Sequence, residues 1–206
     1  MKIKKYIINE NKKHQEMILF IKENCSKFLK EAGFNFAYRG SQKRIENYDI
    51  FPGHLIDRRP MNTAQGIHDL LNRKFTEKFG WAARNGVFCL GESMAVAFYG
   101  KPFLFFPVGD YKYVWSPTIS DLFGVFHAPA EMRGMTTEKW YKQYPDEVND
   151  LVEKVIEKYI DKDLAKALTH TLDTKYKNHV EISFMCDKYI LVNEDKKYNL
   201  MDVFKK

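Results

Sequence analysis

The stretch Val87-Phe88-Cys89-Leu90-Gly91-Glu92-Ser93-Met94-Ala95-Val96-Ala97-Phe98-Tyr99-Gly100 decides how the rest of the chain is read. Gly86 to Gly91 is a short apolar run between two glycines, which predicts a strand. From Glu92 to Tyr99 the pattern changes to that of a short helix, with Ala95, Val96 and Phe98 for packing, and Gly100 stops it. A strand that turns at once into a helix places Glu92 and Ser93 at the turn, where Ser commonly caps the helix.

Working outward, Thr63 to Phe79 carries Ile67, Leu70, Leu71 and Phe75 at helical spacing and closes on Gly80. Before it, residues 41–63 are polar and irregular, with Pro52-Gly53 and the loop Asp57-Arg58-Arg59-Pro60-Met61-Asn62-Thr63. Phe34-Asn35-Phe36-Ala37-Tyr38-Arg39-Gly40 alternates and reads as a strand that hands Tyr38 and Arg39 to a loop. Residues 12–32 read as a helix. Downstream, Phe103 to Val108 is a buried strand, Tyr111 to Trp115 a further one, and residues 136–171 are charged and helix-rich. Val180 to Val192 alternates again: Glu181-Ile182-Ser183-Phe184 is a strand, and Lys188-Tyr189-Ile190-Leu191-Val192 its continuation or hairpin partner. The class is α+β.

Composition bounds the function. The chain has 206 residues, enough for a single domain with a sizeable core. A hydrophobic content of 45% and a charged content of 29% suit a folded protein and argue against disorder. The net charge of +6 permits an anionic partner without requiring one, because many lysines stand at the two ends. Three cysteines with no close pair fit neither a disulfide framework nor a Cys-rich zinc site, which implies a reducing, cytoplasmic setting. The apolar runs are too short to span a bilayer, so no membrane partner is expected. None of the six histidines pairs with a second ligand at metal spacing, so no metal is expected. Neither a Gly-x-Gly-x-x-Gly nor a Gly-x-x-x-x-Gly-Lys run occurs, which removes the Rossmann and P-loop modes of nucleotide binding.

Three pieces remain, in order: Tyr38-Arg39-Gly40, the Val87–Gly100 strand and helix, and Glu181-Ile182-Ser183-Phe184. This order resembles mono-ADP-ribosyltransferases of the Arg–Ser–Glu type, over roughly residues 34–192. The resemblance implies a split β-sandwich with flanking helices, NAD as the substrate, and transfer of ADP-ribose to a macromolecular acceptor, protein or nucleic acid. It implies one domain over 1–206: a helical segment over 1–33, an NAD-binding core over 34–192 and a tail over 193–206. A toxin or phage effector is the implied setting. Arg59-Pro60, Phe79-Gly80, Arg84 and Val87-Phe88 together are also similar to segments of small phage proteins, a likeness that carries no mechanism. One departure stands out. Gly91-Glu92-Ser93 occupies the place where many members have Ser-Thr-Ser, so Ser93 or Glu92 takes the anchoring role.

Breaking the nicotinamide–ribose bond passes through an oxocarbenium-like state, which a carboxylate beside the ribose stabilises. Glu181 is the candidate. Arg39 suits the pyrophosphate, because a guanidinium makes two parallel hydrogen bonds to phosphate oxygens. Gly40 allows close backbone approach to the ligand. Arg58 or Arg59 is a further phosphate grip, and Arg84-Asn85 another. Ser93 holds the catalytic Glu, and equally serves as a helix N-cap. Phe98 and Tyr99 offer rings to stack on nicotinamide, with core packing the equal alternative for Phe98. His179, two places before Glu181, lies near the acceptor in this family's arrangement, or else simply ends the loop and contacts nothing. The plain alternatives are an edge-strand Glu181 and a strand-end Arg39 in structural ion pairs. Rival functions are an NAD glycohydrolase and a non-enzymatic phage structural or inhibitor protein on the same fold.

Overall fold

The computed structural model describes the chain apart from residues 1, 54, 56, 57, 61, 62, 173–178, 198, 199 and 201–206, and apart from the side chains of residues 2–11. Much of the tail expected over 193–206, and Asp57, Met61 and Asn62 of the Arg58-Arg59 loop, therefore lie outside the described residues.

The N-terminal helix is longer than its periodicity predicts and is broken once. α1 spans Lys2–Asn24 and α2 spans Ser26–Glu31, with buried Cys25 between them at φ −120° and ψ 17°. The break lets Phe28 turn inward, where it meets Phe105, Phe106, Tyr111 and Phe184 edge-on at 5.9–6.5 Å. Gly33 and Phe34 both adopt positive φ, so the first strand starts later than the alternation suggests: β1 is Ala37–Ser41.

β2 is Tyr48–Pro52, a strand inside the region expected to be irregular. α3 is Gln65–Phe79, closed by Gly80 in the left-handed conformation with its N–H donating to Thr76 O. A 3-10 turn over Ala83–Asn85 leads into β3, Val87–Cys89, and α4 follows over Ser93–Val96 with a second 3-10 turn over Ala97–Tyr99. The two expected strands after Gly100 are one: β4 runs over Lys101–Trp115, with a bulge between Val108 and Tyr111 where Gly109 takes φ 73°. α5 (Leu122–Met132), α6 (Thr137–Gln143), α7 (Pro145–Glu157) and α8 (Leu164–Thr169) follow. β5, Ile182–Asn193, is a single strand, so the Lys188–Val192 stretch is the continuation of the Ile182–Phe184 stretch and not its hairpin partner.

The result is an α+β fold built on an antiparallel five-stranded sheet ordered β1-β4-β5-β2, with β3 also on β5. β4 and β5 pair from Phe103↔Asn193 to Trp115↔Ile182. The free edge of β5 is shared: β3 takes Ile182–Phe184 and β2 takes Lys188–Val192. Tyr38 and Leu90 exchange both backbone hydrogen bonds, at 2.7 and 3.0 Å, and so draw β1 to the end of β3. That bridge sets Arg39 beside Phe88.

The core has two parts. One packs α1, α2 and α8 with the sheet through Ile21, Phe28, Phe105, Phe184 and Leu168. The other packs α3, α5, α6 and α7 around Phe75, Val114, Phe126 and Trp140. Glu181 stands beside the second, at the head of β5.

Candidate functional site

Phe88, the middle residue of β3, organises the site. Three guanidinium groups gather on it. Arg39 Nη1 donates to the Phe88 carbonyl at 3.0 Å. The Arg58 and Arg84 guanidiniums lie over the Phe88 ring, their central carbons 4.2 and 4.5 Å from its centroid. Arg58 is tied down further by a 2.6 Å hydrogen bond from Nη1 to Gly86 O. Burial, and then the charges of Arg84 and Arg39, push its pKa down to about 10. Like charges placed this close destabilise one another unless an anion joins them.

One anion is present in the chain itself. Glu181 Oε1 accepts a hydrogen bond from Arg84 Nη1 at 3.0 Å. Its position is set by the backbone: Val180 and Ile182 are buried on either side, and Glu181 N donates to Ser120 O at 2.8 Å. The carboxyl is raised above its ordinary range, chiefly by burial and further by Asp121, against the pull of Arg84 and Arg58. With Arg39, Arg58 and Arg84 on one side of the balance and Glu181 and nearby Asp121 on the other, one positive charge is left in excess. Arg84 Nε is buried without a hydrogen-bond partner among the described residues.

Arg84 is aimed from below by a polar network that the sequence reading missed. Asn72 on α3 accepts from Arg84 N through Oδ1 at 2.8 Å and donates through Nδ2 to Asn85 Oδ1 at 3.0 Å. The Nε2 of buried His68, one turn earlier, lies 3.1 Å from Asn72 Nδ2 and 3.3 Å from Asn85 Oδ1. Ser183 Oγ donates to Ala83 O, tying the same turn to β5. The one available signal was a pair of polar residues, His68 and Asn72, four apart on the apolar face of a helix. Beside Glu181 and Arg84 lies a small hollow of about 10 Å³, lined also by Phe75, Phe88, Val114, Leu122 and Tyr159. That is room for about one water molecule, far below the roughly 300–1,000 Å³ of most ligand pockets, so a nucleotide would lie over the hollow and not inside it.

The remaining candidates fall as follows. Arg58, and not exposed Arg59, turns into the cluster. Ser93 is the first residue of α4, and its hydroxyl finds Glu92 Oε1 at 3.4 Å rather than Glu181; Glu92 is the N-cap and accepts from Met94 N. Gly91 has a packing reason for departing from Ser: a Cβ there would stand 1.7 Å from Leu168 O of α8. Gly40 is likewise filled, since its Cβ would meet Val96 O at 2.5 Å and Tyr99 Cβ at 2.8 Å. Phe98 is 92% exposed and packs into no core. Tyr99 is exposed too, and its hydroxyl is raised by burial and then by the nearby charges of Glu181 and Asp121. His179 is half-buried, bridges to Thr171 by its backbone, and has Nδ1 without a partner among the described residues. Among the described residues no group of three His, Cys, Asp or Glu could hold a metal, and no helix is long and apolar enough to cross a membrane.

Against known proteins the chain stands apart: no family model matches it, no curated protein matches it, and no solved structure matches it.

Proposed function

We infer that the protein is an NAD-cleaving mono-ADP-ribosyltransferase, carried on a single five-stranded antiparallel sheet in place of the split β-sandwich expected from the resemblance. The observation that carries this reading is a shielded carboxylate, Glu181, at the head of β5 beside three guanidiniums gathered on Phe88. Two guanidiniums without a carboxylate partner of their own, Arg39 and Arg58, suit a diphosphate, whose oxygens accept paired N–H donors. Arg39 and Arg58 take the pyrophosphate of NAD, and Arg84 divides its donors between phosphate and Glu181. The nicotinamide riboside end lies over the small hollow beside Glu181.

In the reaction the C–N bond between ribose C1′ and nicotinamide breaks, and nicotinamide leaves with the bonding electron pair. Glu181, with Oε1 steadied by Arg84, uses its other oxygen to accept from the ribose 2′-hydroxyl and stabilises the positive charge on the sugar. An acceptor nucleophile then bonds to C1′ and gives up a proton. Water in that role makes the protein a glycohydrolase, and the acceptor distinguishes the two.

Nicotinamide release by the purified protein tests the reading, with Glu181→Gln as the control. Gln keeps an oxygen for Arg84 but not the charge. Turnover is expected to fall at least ~100-fold, about 2.7 kcal/mol of transition-state stabilisation. Labelled NAD followed into lysate, with nuclease and protease controls, then identifies the acceptor. Equal release by both proteins, or none by either, removes the proposal.

A further inference from the structure

The chain carries an apolar ledge that folding leaves bare. Met94, Phe98 and Tyr99 are 74, 92 and 66% exposed on α4 and the 3-10 turn that follows it. The ledge is nevertheless firmly seated. Val96 beneath it is buried, Gly40 admits the Val96 carbonyl and Tyr99 at distances no side chain would allow, and Gly100 lies equally close to Ser41. With the backbone already seated, a flat partner that covers the rings has only their side-chain freedom left to order.

The charge around the ledge indicates which partner. Gln42 Nε2 reaches Tyr99 O at 3.5 Å, so the Lys43-Arg44 loop runs alongside. Lys101 follows Gly100 and is exposed. Lys197 stands over the Tyr38 ring at 5.2 Å, near Glu92. Three pairs neutralise themselves: Lys43–Asp49, Arg44–Glu46 and Arg84–Glu181. Around the ledge and the cluster behind it, that leaves Arg39, Arg58, Lys101 and Lys197 against Glu92, Asp121 and Glu194, a small positive excess.

We propose that this ledge binds single-stranded nucleic acid, with unpaired bases stacked on Phe98 and Tyr99 and the phosphates on Lys101 and its neighbours. Exposed rings flanked by cations are what a single strand offers partners for, because every unpaired base has a π-face and every linkage a charge. A duplex hides its base faces and would be held by charge alone. The proposal deepens the transferase reading by naming the acceptor class, and it rests on that reading only for the transfer that follows docking.

The test is fluorescence anisotropy of a labelled oligothymidine and of a duplex of equal length, with full-length protein and no NAD. Expected is binding of the single strand that weakens with salt, exceeds duplex binding, and falls at least about fivefold in Phe98→Ala, with Tyr99→Phe retaining it and Lys101→Glu reducing it. Phe98 is so exposed that its removal leaves the melting temperature in place, which a thermal scan verifies. No binding at low salt, equal affinity for duplex, or binding unmoved by Phe98→Ala overturns the proposal. So does label from NAD that ends in protease-sensitive material and depends on Phe98, which makes the ledge a protein-docking surface. Because binding is read without NAD, its failure leaves the role of Glu181 standing. Binding with no nicotinamide release removes that role and leaves the ledge.

Discussion

Arg84 Nη1 lies 3.0 Å from Glu181 Oε1, and both side chains are largely withdrawn from water, at 14 and 21% exposure. The two residues are 97 apart in sequence. Their contact is made by the backbone: α3 and its polar network hold the turn of Arg84, and the start of β5 holds Glu181. A buried carboxylate that keeps a single cationic partner is poised between its charged and neutral forms, and its neighbours set the balance.

The pH profile should report that balance. Burial and Asp121 raise the Glu181 carboxyl, while Arg84 and Arg58 lower it. If the ionised form does the work, activity is lost as the pH falls through this pKa. The acid limb of kcat/KM is then expected above the ordinary Glu value of about 4.3. Arg84→Gln removes a lowering influence and should move the limb up. Asp121→Asn removes a raising one and should move it down, while the amide oxygen still caps α5 by accepting from Gly124 N. A limb at the ordinary position that neither substitution moves would detach Glu181 from the rate.

Gly91 separates packing from resemblance. Its Cβ would stand 1.7 Å from Leu168 O, a backbone atom that cannot swing aside. Gly91→Ala and Gly91→Ser are both expected to destabilise the fold by about 1–3 kcal/mol, seen as a lower midpoint in urea. A Ser that is tolerated here would mean that α8 yields easily.

Asn72 acts on the site through Arg84. Asn72→Ala removes the acceptor of Arg84 N and a donor to Asn85 Oδ1, and leaves buried polar groups to find water. The expected cost is about 1–3 kcal/mol of stability. A positioning role has a second signature: with Arg84 free to turn, the acid limb assigned to Glu181 moves, as it does in Arg84→Gln. Lower stability with an unmoved limb would leave Asn72 as part of the scaffold only.

How much of this was legible follows from the range of each contact. The β3–turn–α4 unit showed itself because an apolar run bounded by glycines is a local signal. Gly80 closing α3 is local in the same way. β2 hid because Tyr48–Pro52 is a half-exposed edge strand carrying Asp49 and Pro52, residues that depress strand propensity. α5 hid behind Gly124 and Pro129, which normally break helices. The split of β4 into two expected strands came from Gly109, which marks a bulge and not a turn. In the site, Arg39 and Glu181 stood out by residue type at strand ends. That Phe88 gathers the arginines, and that Arg58 rather than Arg59 joins them, depends on which side of a loop faces β3, and no periodicity carries that.

The acceptor is the last point on which sequence and geometry bear together. Mono-ADP-ribosyltransferases that modify arginine resemble one another in carrying a Glu two places before the catalytic Glu; under the proposed reading, with Glu181 in that role, the place is taken by His179. A neutral imidazole accepts a proton but does not hold a guanidinium as a carboxylate does. The cluster adds a second obstacle. Arg39, Arg58 and Arg84 already leave an excess of positive charge around Phe88, and a guanidinium acceptor brings another. Agmatine is therefore expected to be a poor acceptor, with nicotinamide release in its presence no faster than in its absence. His179→Glu supplies the missing carboxylate and should improve agmatine modification, while His179→Ala should not. Efficient labelling of agmatine by the unaltered protein, undiminished in His179→Ala, would show that neither the imidazole nor the arginine cluster governs acceptor choice.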